Sequence, residues 1–206
     1  MERRGEVFEN PSTGEHVVVL SDPDEQADGV LVAQLTVRPG GRVVTAHFHP
    51  QIRERFRVIE GEVGFLLGEE RKTLGAGESA EVPPGMIHDW WHVGESDAVV
   101  VVEVDPGARF KEMVGTMYGL ARDGKVDKKG LPRPLQLAVT ASAYRDVMVV
   151  TSPPPWAQRI VFSVLAPLGR MRGLQPKYDE YLSSSTTVEP DPRALALLDE
   201  HGRLKA

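Results

Sequence analysis

Residues 41–61, GRVVTAHFHPQIRERFRVIEG, decide how this chain reads. The run from Val43 to Phe48 predicts a strand. His47 and His49 stand two apart on it, so both imidazoles leave the same face. Pro50 stops the strand and opens a turn, which brings Glu54 back at the head of the next one. A second stretch, GESAEVPPGMIH at residues 77–88, ends on His88 after the tight turn Pro83-Pro84-Gly85. Three imidazoles and a carboxylate make a nitrogen-and-oxygen donor set for one divalent metal. They leave one or two positions open on a five- or six-coordinate ion, as a catalytic site does.

Outward from these stretches the texture is β. Between Glu15 and Val104, Gly and Pro recur every few residues and separate short runs at 16–20, 30–37, 43–48, 56–59, 63–67 and 98–104. Closely spaced strands with turn chemistry between them predict an all-β barrel or sandwich. After Pro106 the pattern changes. Phe110, Met113, Val114, Met117 and Leu120 recur at spacings of three and four, which predicts an amphipathic helix over 108–122 ended by Asp123-Gly124. Residues 134–149 and 156–171 predict two further helices, and Asp191-Pro192 opens a last short one through Leu198. The expected division is a β unit over 1–106 and a helical extension over 107–206, packed on the barrel or on a partner subunit.

Composition narrows the function. With 206 residues, of which 41% are hydrophobic, the chain can build a real core. Its net charge of -6 argues against nucleic acid as a partner, because a phosphate backbone needs a basic face. There is no cysteine, so disulfides and thiolate metal sites are excluded. The start Met1-Glu2-Arg3-Arg4 lacks the apolar run of a signal peptide, and Ile160 to Leu168 is too short for a membrane span and contains Pro167. A cytoplasmic protein without stable membrane insertion is expected.

The two stretches resemble the cupin superfamily. The first fits G-x5-HxH-x4-E-x6-G and the second G-x5-PxG-x2-H at every defined position. The resemblance is strong from Gly41 to Val104, extends more weakly from Gly5 through the barrel, and does not include the helices after Pro106. It implies a double-stranded β-helix, the cupin jelly-roll barrel, carrying a C-terminal α-helical extension. His47, His49, Glu54 and His88 would then hold one divalent transition metal: iron, manganese, nickel, copper or zinc. The second motif usually ends H-x3-N, and here that last position is His92.

Several side chains have a plain reading beside the functional one. An isolated HxH is most often strand surface, but four of the six histidines lie in or next to the two motifs. His92 is a candidate proton donor or acceptor, or simply a packed residue. Strict alternation from His88 would turn Met86, Trp90 and His92 inward, with Trp91 facing out. Phe48 should occupy the sheet face opposite the ligands. Glu103 enters the pocket only if odd positions of its strand point inward; otherwise it sits on the rim. The stripe on 108–122 reads as packing, and the basic loop 125–133 as solvated. Residues 156–171 carry Arg159, Arg170 and Arg172 around an apolar stretch, as interfacial membrane helices do, although packing on the barrel is the simpler expectation.

The expected function is a metal-dependent small-molecule enzyme, first of all an oxygenase-type oxidoreductase, with Glu54 both ligating and moving a proton. The alternatives are a metal-dependent isomerase, cyclase or lyase using His92, and a non-enzymatic ligand- or metal-binding barrel. A homodimer is expected, because exposed sheet edges and apolar helix faces need covering.

Overall fold

The computed structural model describes residues 3–25, 29–42 and 45–205. Its strands are β1 Val7–Asn10, β2 Glu15–Ser21, β3 Leu31–Val37, β4 His47–Phe48, β5 Arg53–Glu60, β6 Glu62–Leu67, β7 Glu70–Gly75, β8 Ser79–Val82, β9 His88–Val93, β10 Ala98–Asp105 and β11 Val149–Val150. The helices are α1 Ala108–Arg122, α2 Pro134–Ala143, α3 Pro155–Met171 and α4 Pro192–Ala196. Of the strand expected over 43–48, Val43 and Val44 lie outside the described residues. Strands β1, β7 and β8 had no separate signal in the sequence.

All pairing is antiparallel, in two sheets. One has the order β1-β2-β3-β10-β5-β8 and the other β11-β4-β9-β6-β7. Their facing sides form a β-sandwich core in which Phe56 and Val58 of one sheet meet Val63, Phe65 and Trp90 of the other. Period-two burial produces this. In β5, Glu54, Phe56 and Val58 are buried while their neighbours are not. The valine run of β10 breaks the alternation because its sheet is covered on both faces. Val100 enters the sandwich core, and Val101 packs with Ala194 and Leu204 of the C-terminal segment on the other side. Gly61 makes the β5–β6 turn at φ +74, where a Cβ would also stand 2.8 Å from the Cα of Ala98.

Helix α1 packs on a sheet, whereas α2 and α3 pack on each other. Met113 and Tyr118 of α1 share a core with Phe8, Leu31 and Val104 of the six-stranded sheet. Lys111 of α1 pairs with the buried Asp22. The helix expected over 134–149 ends at Ala143, and Val149–Val150 instead become β11, paired with Phe48 and His47 of β4. An unpaired edge beside two β-branched residues explains the change, since β4 gains a partner strand. Helix α3 packs its buried side on α2, through Ala166 against Ala138 and Val139, rather than on the barrel face expected for it. Among the described residues no helix is long and apolar enough to cross a membrane.

Candidate metal centre

His47 on β4 and His88 on β9 are direct partners in the antiparallel register. His49 lies one residue beyond β4, and Glu54 reaches the same point from β5 in the opposite sheet. Ring centroids are 4.3 Å apart for His47 and His88, 5.0 Å for His47 and His49, and 5.2 Å for His49 and His88. One ligand atom from each imidazole falls within 4.8 Å of the others. All four side chains are buried.

Each histidine is fixed through Nδ1, which lies on a backbone carbonyl: Thr45 at 3.0 Å for His47, Val147 at 2.6 Å for His49, and Met86 at 3.1 Å for His88. A carbonyl only accepts, so each Nδ1 donates and each Nε2 keeps its lone pair for the interior. Glu54 Oε2 is 3.0 Å from His88 Nε2 and 3.4 Å from His49 Nε2. These are ion-pairing separations, and all three atoms are buried without a hydrogen-bond partner. Atoms that bind one ion at about 2.1 Å stand about 3.0 Å apart at right angles and about 3.4 Å apart at tetrahedral angles. The donor set fits a divalent transition metal, and Glu54 Oε2 stands from the two Nε2 atoms at the spacings that one would impose.

The electrostatics agree. Burial, then the two neighbouring imidazoles, push His47 down to about 3, so it stays neutral and ready to ligate. Burial also opposes a charge on His49, but the Glu54 carboxylate outweighs it and holds that imidazole above its ordinary value. Burial likewise opposes the Glu54 charge, and His49 and His88 outweigh it, keeping the carboxyl well below the usual carboxylate range. A divalent ion would supply positive charge beside the Glu54 carboxylate.

His47 and Glu54 also line a cavity of about 190 Å³ whose wall is almost wholly apolar. Phe110, Met113, Val114 and Met117 of α1 supply one side, Met148 another, and Phe110 meets the His49 ring edge-on at 5.7 Å. Asn10, Glu15, Lys111 and the buried Tyr118 are its other polar features, and Glu15 accepts a hydrogen bond from Thr13. The stripe on 108–122 was expected only to pack; it is a cavity wall, and its methionines next to the β unit were the available signal. Glu15, Tyr118 and Met148 carried none.

The remaining candidates fall as follows. Trp90 is buried and lines the cavity, while Trp91 faces out beneath Arg71. Met86 packs at the sandwich core. Phe48 is half-buried beside Val149. His92 is buried, but its Nε2 is 2.6 Å from the Ser96 carbonyl and it is not among the cavity-lining residues. Glu103 is neither in the pocket nor on the rim. It is buried in a paired fork with Arg55 at 2.8 and 2.9 Å, capped by the Leu204 amide at 2.7 Å.

Residues 33–108, which include all four clustered side chains, match the family model described as "Cupin domain". Germin-like protein subfamily T member 2 of Arabidopsis thaliana is 34% identical over 109 residues, covering 49% of this chain and 48% of that protein. Germin-like protein 3-8 of Oryza sativa subsp. japonica is 41% identical over 78 residues, covering 35% and 34%. The chain thus spans about half the length, or less, of these curated relatives. Among solved structures, KdgF from Halomonas sp. aligns at a TM-score of 0.43 and 17% identity, over 48% of this chain and 84% of that one.

Proposed function

We propose, on the premise that this chain is a member of the cupin superfamily, that it is a metal-dependent enzyme of the oxygenase type acting on a small, largely apolar molecule. The observation that carries this reading is the meeting of His49 Nε2, His88 Nε2 and Glu54 Oε2, buried and without hydrogen-bond partners, beside an apolar cavity that His47 and Glu54 line. A redox-active divalent ion held by His47, His49, His88 and Glu54 would supply one-electron and dioxygen chemistry.

The chain's own residues do the rest. Phe110, Met113, Val114 and Met117 exclude water and bind the substrate's apolar body. A cavity of about 150 Å³ holds a benzene ring, so about 190 Å³ suits a single substituted ring or a short branched chain. Glu15 and Tyr118 offer hydrogen bonds to one polar substituent. Glu54 both lines the cavity and belongs to the donor set, so in this reading it ligates the metal and moves a proton. His92 is held on the Ser96 carbonyl and does not line the cavity, so it is not the proton carrier that the isomerase or lyase reading assigned to it. In this reading residues 1–106 carry the metal and 107–206 close the substrate space.

The test is product formation from a panel of small apolar substrates by iron- and zinc-loaded protein, with and without oxygen. Turnover should require iron and oxygen together, and nitric oxide should compete. Oxygen-independent turnover by the zinc form would overturn the oxygenase reading in favour of an isomerase or lyase.

A further inference from the structure

Helix α3 leaves one side unpartnered. At about 100° per residue, Trp156, Ile160, Val161, Val164, Leu168 and Met171 fall on a single arc of about 140°. All six are exposed, Trp156 at 68% and Met171 at 83%. The packed residues Gln158, Ala166 and Gly169 lie on the opposite side, toward α2. An apolar patch of this size on the surface marks an interaction site.

The charges choose the partner. Arg159 and Arg170 border the arc on one side and Arg172 follows its other edge, all three exposed. The helix contains no acidic residue, and among the described residues none of the three arginines is in an ion pair. Two copies of α3 laid face to face would bring arginine borders together with no carboxylate on either helix. An anionic surface with an apolar interior answers both features at once. Arginine heads reach its charge while their stems and the arc enter the apolar layer, and Trp156 has the amphipathic ring that favours such a boundary. At 17 residues the helix is about 26 Å long, and Pro167 and the arginines keep it in the interface rather than across it. We propose that α3 docks this protein reversibly on anionic lipid bilayers, lying in the plane of the headgroups. The inference is independent of the metal site.

The experiment is co-sedimentation of the full chain with vesicles of phosphatidylcholine alone and of phosphatidylcholine with phosphatidylglycerol in equal parts. At low salt the anionic vesicles should bind on the order of 100-fold more tightly, since each arginine near the surface adds its own attraction. High salt should erase most of that difference. The double variant Ile160→Glu/Leu168→Glu should lose sedimentation with an unchanged melting temperature, because both positions are solvent-facing. Arg159→Gln/Arg170→Gln should lower the preference for anionic vesicles and keep the residual apolar binding. Absence of sedimentation, or equal binding to both vesicles, overturns the proposal. So does a dimer that Ile160→Glu/Leu168→Glu converts to monomer while vesicles bind neither form, for then a second copy covers the face.

Discussion

The imidazole of His49 donates a hydrogen bond through Nδ1 to the carbonyl of Val147, 98 residues further along the chain and 2.6 Å away. That contact sets the tautomer of a ligand in the β unit from a residue of the helical extension. It does not stand alone. β11 lies against β4, and both the amide and the Oγ1 of Thr151 reach the Ala46 carbonyl at 3.0 Å. The HxH strand is therefore clamped by the segment 147–151.

Loosening the clamp should weaken metal binding without touching a ligand. Thr151→Pro deletes both bonds to Ala46, and the affinity for zinc or manganese should fall about 10–100-fold, as expected when an outer support of a ligand is lost. Chelator competition on folded protein measures it. Unchanged affinity would mean the clamp is irrelevant to the site.

Removing the ligands themselves should empty the site and spare the fold. His47→Ala/His49→Ala should reduce bound metal from about one equivalent to none by elemental analysis, with the far-ultraviolet circular dichroism of the parent. The parent's melting temperature should rise with added metal and the variant's should not. Full occupancy in the variant would place the metal elsewhere.

Glu15 should leave a signature in the pH dependence of stability. Burial raises its carboxyl above the ordinary 4.5, against hydrogen bonds from Thr13 and Tyr118 that lower it. The folded state then holds the proton more tightly than the unfolded one, so this contribution is complete below about 4.5 and is lost as pH rises through the folded value. Glu15→Gln cannot ionise. The stability advantage of Glu15→Gln over the parent should therefore grow with rising pH, measured by urea unfolding from acid to neutral pH. A constant difference across that range would contradict the assignment.

Gly119→Ala should reverse the usual sign. An alanine in a helix interior normally stabilises by about 1 kcal/mol relative to glycine. Here the added Cβ would stand 2.1 Å from Cγ of Tyr181, inside a buried ring. The cost of such overpacking, about 1–3 kcal/mol, should win, and the melting temperature should drop. A more stable variant would show that the Tyr181 segment yields without cost.

Ending the chain at Pro106 should produce aggregation. The cut removes Met113, Tyr118, Tyr144 and Val147 from the core they share with Phe8, Val19, Leu31 and Val104, and uncovers that sheet face. Light scattering of the truncated protein gives the answer, and a monodisperse, metal-loaded fragment would refute it.

The sequence alone determined what covalent spacing determines. An HxH pair on a strand must share a face, a proline must end that strand, and the second motif must bring a third imidazole after its turn. Spacing placed His47 and His49 together, and the resemblance of the two motifs to the cupin superfamily, not spacing, added Glu54 and His88 to the set. The span of α1 was readable from spacing as well, since three- and four-residue spacing is a local property. Parity told less. It placed His88, Trp90 and His92 on one face correctly, but only the turn at Ser96 decided that His92 is held by a carbonyl. It also could not say which face of β10 looks inward. That depended on pairing with β3 and β5 and on the irregularity at Val99/Val100, which sent Val102 and Val104 to the cavity and Glu103 to Arg55. Tertiary structure alone recruited Val147 to His49, brought Glu15 and Tyr118 to the cavity, turned the expected end of α2 into β11, and left the apolar arc of α3 uncovered. Each of these depends on which segments meet across long stretches of chain, and periodicity along one segment carries no information about the segment that will face it.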